Sequence, residues 1–176
     1  MAPHIYFIKY IIGGIVMKDI NILLESMAGE SYLDITTLIN TVKNVAFKDL
    51  GLDNETTPFI IDHNLELPCY GRTHHGLGGK IGYVGINDKQ DIMNMIQTIF
   101  HESRHIYQIR KYRDYMDNYV IKNLAGLGPK TYMQYYWEPI EVGARVYAWF
   151  AMKRYKKQIR QIIKQYVNNE LQEQLY

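Results

Sequence analysis

Sulfur chemistry is almost absent from this chain. Cys69 is its one cysteine, so no internal disulfide can form and no cysteine-rich metal framework is available. That scarcity fits a reducing, cytoplasmic setting. Excess charge of one sign is lacking too. The 20 basic and 18 acidic residues leave a formal net charge of +2, too small to argue for nucleic acid by itself. No apolar run reaches the roughly 20 residues that a membrane helix needs. The most apolar stretch, Ile5 to Met17, carries Lys9 and the pair Gly13-Gly14. It has no basic start and no evident small-residue cleavage site. Internal repeats and low-complexity segments are also missing.

What remains suits one soluble domain. The 176 residues can bury a real core, and 47% hydrophobic with 22% charged residues is ordinary for a globular protein. Met17-Lys18-Asp19 reads like a second start. Residues 1–16 are therefore expected to be an extension, with the working domain at 17–176; a short membrane-associating segment is the competing reading. Tyrosine is abundant, at 16 residues. Its apolar ring and polar tip suit half-wet clefts, although an AT-rich genome gives the same excess.

Apolar spacing predicts a helix over 19–27. Ser31 is a candidate N-cap, with Asp34 three residues on, for a second helix that carries Leu38, Val42, Val45 and Ala46 to about Leu50, where Gly51 stops it. Pro58 to Asp62 reads as a short buried strand. Residues 68–80 hold Pro68, four glycines and a His-His pair, and read as loop or hairpin. Ile81 to Asn87 reads as a strand whose two glycines suit an edge or a close backbone approach. Asp88 or Asp91 can cap a long helix to about Tyr112, and a second helical stretch runs from Arg113 to about Leu124. Pro139 suits the first position of a last helix reaching towards Gln165. Helices, a small sheet, then helices make an α+β plan.

Chemistry concentrates at residues 101–105, His-Glu-Ser-Arg-His. On a helix, positions i and i+4 share a face, so His101 and His105 can hold one zinc ion between them. Glu102 is placed to take a proton from a water that zinc has made acidic. With six histidines and nine glutamates, chance produces H-E-x-x-H in about one such chain in a hundred. Zinc needs a third protein ligand. His4, His63, His74 and His75 all lie upstream, and no H-x-x-G-x-x-H extension follows His105, so a downstream carboxylate is the natural candidate. If Pro139 starts a helix, Glu141 lies in its first turn, and Ala144 and Ala148 continue the same stripe. Small residues there let the two helices approach closely, which favours Glu141; Glu138, just ahead of the helix, is the alternative.

His101-Glu102-x-x-His105 followed by Pro139-Ile140-Glu141-x-x-Ala144-Arg145-x-x-Ala148 resembles the gluzincin-type metallopeptidases. It is similar in particular to the small phage- and mobile-element-associated enzymes related to the ImmA/IrrE group. The resemblance covers about residues 80–152. It implies a zincin-like fold, one zinc per chain, and hydrolysis of a protein or peptide by a zinc-activated water. It further implies that the strand Ile81 to Asn87 is an edge strand lining the cleft, with Tyr83, Val84 and Gly85 pairing with substrate. Gly143 departs from the pattern, standing where relatives usually carry a better helix former. So does the Tyr-rich linker of 35 residues between His105 and Glu141, long enough for a lid or specificity loop.

A donor that stabilises the oxyanion is expected opposite the metal; Tyr132, Tyr135, Tyr136, His74 and His75 are the candidates. Asp62 or Asp91 could orient a metal histidine, although strand-end and cap roles serve them as well. The basic run Lys153-Arg154-Tyr155-Lys156-Lys157 with Arg160 and Lys164 lies over an apolar stripe of Ile159, Ile162, Ile163, Tyr166 and Val167. That run is either a solvated face or a contact for nucleic acid. It supports an alternative function, a catalytically silent zinc-binding regulatory module.

Overall fold

The computed structural model describes residues 35–75, 81–113, 117, 118, 128 and 131–173. The chain divides into two compact units, Met1–Tyr32 and Leu33–Tyr176, and all described residues belong to the second. The expected helix over 19–27, the Ser31 cap, the boundary at Met17 and most of the expected helix after Arg113 lie outside the described residues.

Helix α1 spans Ile35–Leu50 and buries Leu38, Ile39, Val42, Ala46 and Phe47 on one face. Its end is dictated by Gly51, whose φ of 66° is a left-handed conformation that a side chain would oppose. Leu52 N–H then reaches Phe47 O at 2.8 Å and Gly51 N–H reaches Lys48 O at 3.3 Å, which satisfies two carbonyls of the last turn.

Three short strands follow: β1 (Phe59–Ile61), β2 (Gly71–His75) and β3 (Ile81–Ile86). Their order is β1-β3-β2, with β1 parallel and β2 antiparallel to β3. β3 is therefore the central strand, against the expectation of an edge. Tyr83, Val84 and Gly85 are paired on both sides: Val84 with Phe59 and Thr73, Gly85 with Ile60 and Arg72, Tyr83 with His74. The register explains why. Residues 71–75, expected to be loop or hairpin, supply the second neighbour.

One face of this sheet is dry. Phe59, Val84 and Ile86 are buried, and α1 and the long helix α2 (Ile92–Lys111) both pack on the sheet. Asp91 caps α2 by accepting from Asn94 N–H at 2.8 Å. Met95, Ile96, Ile99, Phe100, Ile106 and Ile109 give it a buried stripe at helical spacing. A short helix α3 (Tyr132–Tyr136) is opened by a Thr131–Gln134 capping box. Pro139 then starts α4 (Pro139–Arg154), which packs along α2 and buries Ile140, Glu141, Ala144, Ala148 and Ala151. The expected single last helix is broken at Tyr155, and α5 runs over Lys156–Glu173. The break has a tertiary cause. Tyr155 Oη donates to Asp49 Oδ1 at 2.6 Å and Arg154 pairs with the same oxygen at 2.7 Å, anchoring this point to the end of α1. The protein is thus an α+β fold with a small mixed sheet. Among the described residues no helix is long and apolar enough to cross a membrane.

Candidate metal centre

The site is made by two helices that face each other. α2 brings His101 and His105 to one side, one turn apart, and their Nε2 atoms lie 3.0 Å from each other. α4 brings Glu141 from its first turn. Glu141 Oε2 is 3.3 Å from His101 Nε2, and Oε1 is 3.3 Å from His105 Nε2. Two zinc donors at about 2.1 Å in a tetrahedron sit about 3.4 Å apart. The separations of 3.0 Å between the two Nε2 atoms and 3.3 Å from each to one oxygen of the Glu141 carboxylate are close to that spacing. The donor set of two imidazoles and one carboxylate also suits zinc. Glu138 occupies the N-cap of α4 and makes no side-chain capping hydrogen bond.

Charge is balanced inside this cluster. Burial works to raise the Glu141 carboxyl, but hydrogen bonds from His101 and His105 outweigh it and hold the group well below the usual carboxylate range. Burial likewise opposes charge on His105, yet Glu141 and Glu102 together raise it. Glu102 lies beside the two histidines: His101, Glu102 and His105 each offer one atom, all within 4.8 Å of one another, a group that could hold a metal ion. The Glu102 Oε2 accepts from Thr73 Oγ1 of the sheet at 2.9 Å, and Oε1 stands 3.2 Å from where a Cβ on Gly71 would be.

Gln108 fixes the histidine nearest the core. Its Nε2 donates to Ile140 O at 3.0 Å, which leaves Oε1 to accept from His105 Nδ1 at 2.9 Å. His105 therefore carries a proton on Nδ1, which would leave Nε2, the nitrogen facing Glu141, as its donor atom to a metal. Gln108 is buried, and its signal in the sequence is a lone amide three residues after His105 amid Ile106, Tyr107 and Ile109. An ideal Cβ on Gly143 would lie 3.0 Å from Gln108 Nε2, so the glycine leaves room for this amide.

The expected oxyanion donors divide. His74 lies on the wrong face. Strand alternation sends Gly71 and Thr73 towards α2 and sends Arg72 and His74 to the opposite side of the sheet. There the His74 ring stacks on Tyr83 at 4.2 Å, with Nε2 3.6 Å from Asp62 Oδ2. For His75 the described feature is a register irregularity between it and His74. Tyr136 is drawn to the centre through Arg145. The guanidinium lies 3.8 Å from the Tyr136 ring centroid, donates to Tyr136 O, and approaches Glu141 Oε2 at 3.8 Å. Tyr132 stands close by. Burial first, then Tyr136, push its phenol up while Arg145 opposes them. Tyr135 is exposed. Asp62 and Asp91 take the other roles open to them, one beside His74 and Asn64, the other capping α2.

No protein-family model matches the chain, and comparison with curated proteins and with solved structures finds no match.

Proposed function

We propose that the chain is a zincin-like, zinc-dependent hydrolase, a peptidase that holds its metal through His101, His105 and Glu141 and uses Glu102 as general base. The observation that carries this reading is the cluster of two imidazole nitrogens 3.0 Å apart, each 3.3 Å from an oxygen of the Glu141 carboxylate, with a further buried carboxylate beside it. A structural zinc site fills its fourth position with protein and has no use for Glu102. Zinc, when bound, supplies a Lewis acid that polarises a carbonyl and acidifies a water. The chain's own part is proton handling. Glu102 accepts the proton of the attacking water and can return it to the departing amine. Burial of that carboxylate, 5% exposed, keeps competing water away. Arg145, with Tyr132 and Tyr136 around it, supplies the positive charge and hydroxyl groups on the far side of Glu141.

Substrate pairing moves from β3 to β2. β3 is saturated, whereas β2 has β3 on one side and, among the described residues, no strand on the other. Asn87 N–H donates to Tyr70 O at 2.9 Å. Antiparallel alternation then aims the backbone groups of Arg72 and His74 at β3 and those of Gly71 and Thr73 at the open side. β1 agrees with this phase, since it takes Val84 N–H and Ile86 O. An extended peptide adding to β2 lies beside Glu102.

The test is Glu102→Gln. The amide has nearly the shape of the carboxylate but cannot take the proton. Zinc content should stay at one per chain while cleavage of a peptide-library substrate falls about a hundred- to ten-thousand-fold. Cleavage at the wild-type rate would refute the assignment. A second reading rests on a different observation. Residues 142–169 contain no aspartate or glutamate, and Lys156, Lys157, Arg160 and Lys164 are exposed on α5. A zinc-loaded protein that cleaves nothing and binds DNA with a steep salt dependence would favour the regulatory module.

A further inference from the structure

We infer that Thr73 is the positioning residue for Glu102, and that it ties the strand receiving the substrate to the base that starts its hydrolysis. This rests on the hydrolase reading above. Glutamate on a helix has three rotatable bonds, and nothing in the H-E-x-x-H pattern sets where its carboxylate points. Here one hydrogen bond sets it: Thr73 Oγ1 donates to Glu102 Oε2 at 2.9 Å. With that oxygen engaged, Oε1, which stands beside Gly71 at 3.2 Å from an ideal Cβ there, is the oxygen that would take the proton of the water.

The strand is seated on the helix to make this possible. An ideal Cβ on Gly71 would lie 2.6 Å from Thr98 Cγ2 and 3.1 Å from Glu102 Cγ, so only glycine lets β2 lie directly on that turn of α2. A second link holds the residue just before the strand. Gln90 Nε2 donates to Tyr70 O at 2.9 Å and to Asn87 O at 2.8 Å, and Gln90 Oε1 accepts from Thr98 Oγ1 at 3.0 Å. β2 and the base therefore form one braced unit.

Thr73 occupies a position where two directions meet. Its side chain faces α2, and by the alternation established above its N–H and C=O face the open edge. A peptide that hydrogen-bonds to this backbone pulls on the residue that holds Glu102. Correct seating of the substrate and correct aim of the base are thereby coupled through a single side chain.

The experiment compares Thr73→Val and Thr73→Ser with the wild-type protein on a cleaved peptide, at equal zinc content. Valine keeps the shape and removes the donor. Its kcat should fall about tenfold or more, since the lost bond is to a charged group, with KM within about twofold. Serine should restore kcat to within about threefold of wild type. In a Glu102→Gln background, Thr73→Val should leave the dissociation constant for the uncleaved peptide within about twofold, because backbone pairing does not use the hydroxyl. Wild-type kcat in Thr73→Val, or a loss that serine does not restore, overturns the inference while the hydrolase reading stands. A wild-type protein that cleaves no peptide overturns both. Should valine lower zinc content or Tm, Thr73→Ala against Thr73→Ser makes the same comparison without the added methyl.

Discussion

Replacing Gln108 should weaken zinc binding from outside the coordination shell. The side chain is 6% exposed and spans α2 and α4, the helices proposed to bear the metal, accepting from His105 Nδ1 at 2.9 Å and donating to Ile140 O at 3.0 Å. Gln108→Leu conserves approximate volume and removes both bonds. The Nδ1–H of His105 is then left without a partner in a dry place, at a cost of about 1–3 kcal/mol. Removal of the group that orients a metal histidine typically costs about 10- to 100-fold in affinity, the same range expressed as binding. The leucine variant should therefore bind zinc about 10- to 100-fold more weakly in competition with a chromogenic chelator. Its zinc-free form should melt a few degrees lower, at about 2–4 °C per kcal/mol for a domain of this size. Gln108→Glu separates the two bonds. It keeps an acceptor for Nδ1 but sets a carboxylate oxygen against Ile140 O, so affinity should hold while stability drops. Wild-type zinc affinity in Gln108→Leu would refute the assigned role.

Other tests address the remaining parts. Glu141→Ala should lose zinc by about a hundredfold or more while Glu138→Ala stays within about threefold, read by metal analysis after gel filtration; the reverse order would remove Glu141 from the site. Away from the centre, burial favours a neutral Glu55, but hydrogen bonds from Arg110 and Thr57 outweigh it and hold the carboxyl down to about 2. A depressed folded value gives stability that is present above the unfolded value of about 4.3 and lost as pH falls towards 2. The stability gap between wild type and Arg110→Met in urea unfolding should therefore be constant above about pH 5 and shrink below it; a gap independent of pH would refute the pairing.

The helices that carry His101, His105 and Glu141 were legible in the sequence because their signals are local. Asp91, the 3.6-residue spacing from Met95 to Ile109, and Pro139 each act within a turn or two, and the two histidines inherit their juxtaposition from helix geometry alone. The sheet was less legible. β2 is five residues of Gly-Arg-Thr-His-His among Pro68 and several glycines, and no propensity rule favours a strand there. What holds it is tertiary: Thr73 on Glu102, Gly71 on Thr98, and pairing with β3. The glycines of β3 were compatible with an edge or with close approach, and close approach is what Gly85 provides. An ideal Cβ there would stand 3.0 Å from Asp62 Cβ and 3.4 Å from His74 Nε2. The break at Tyr155 has no glycine or proline to announce it, since its cause, Asp49, lies on another helix.

Gly143 shows how the contact between two helices overrules local preference. In mid-helix, glycine costs about 1 kcal/mol relative to alanine, and α4 carries this cost midway between Glu141 and Arg145, two residues from each. The neighbouring Gln108 amide is 3.0 Å from where a Cβ would be and is held at both ends by His105 and Ile140. It has no free end to swing aside, so an added methyl must separate α2 from α4 by a few tenths of an ångström or break one of those bonds. Gly143→Ala should therefore gain helix propensity and lose packing in nearly equal amounts, leaving the zinc-free Tm close to wild type. Zinc affinity has no such compensation and should fall about three- to tenfold, since His105 and Glu141 sit on the two helices being pushed apart. A variant about 1 kcal/mol more stable with unchanged zinc affinity would mean that the glycine is incidental and that the Gln108 brace tolerates what the geometry forbids.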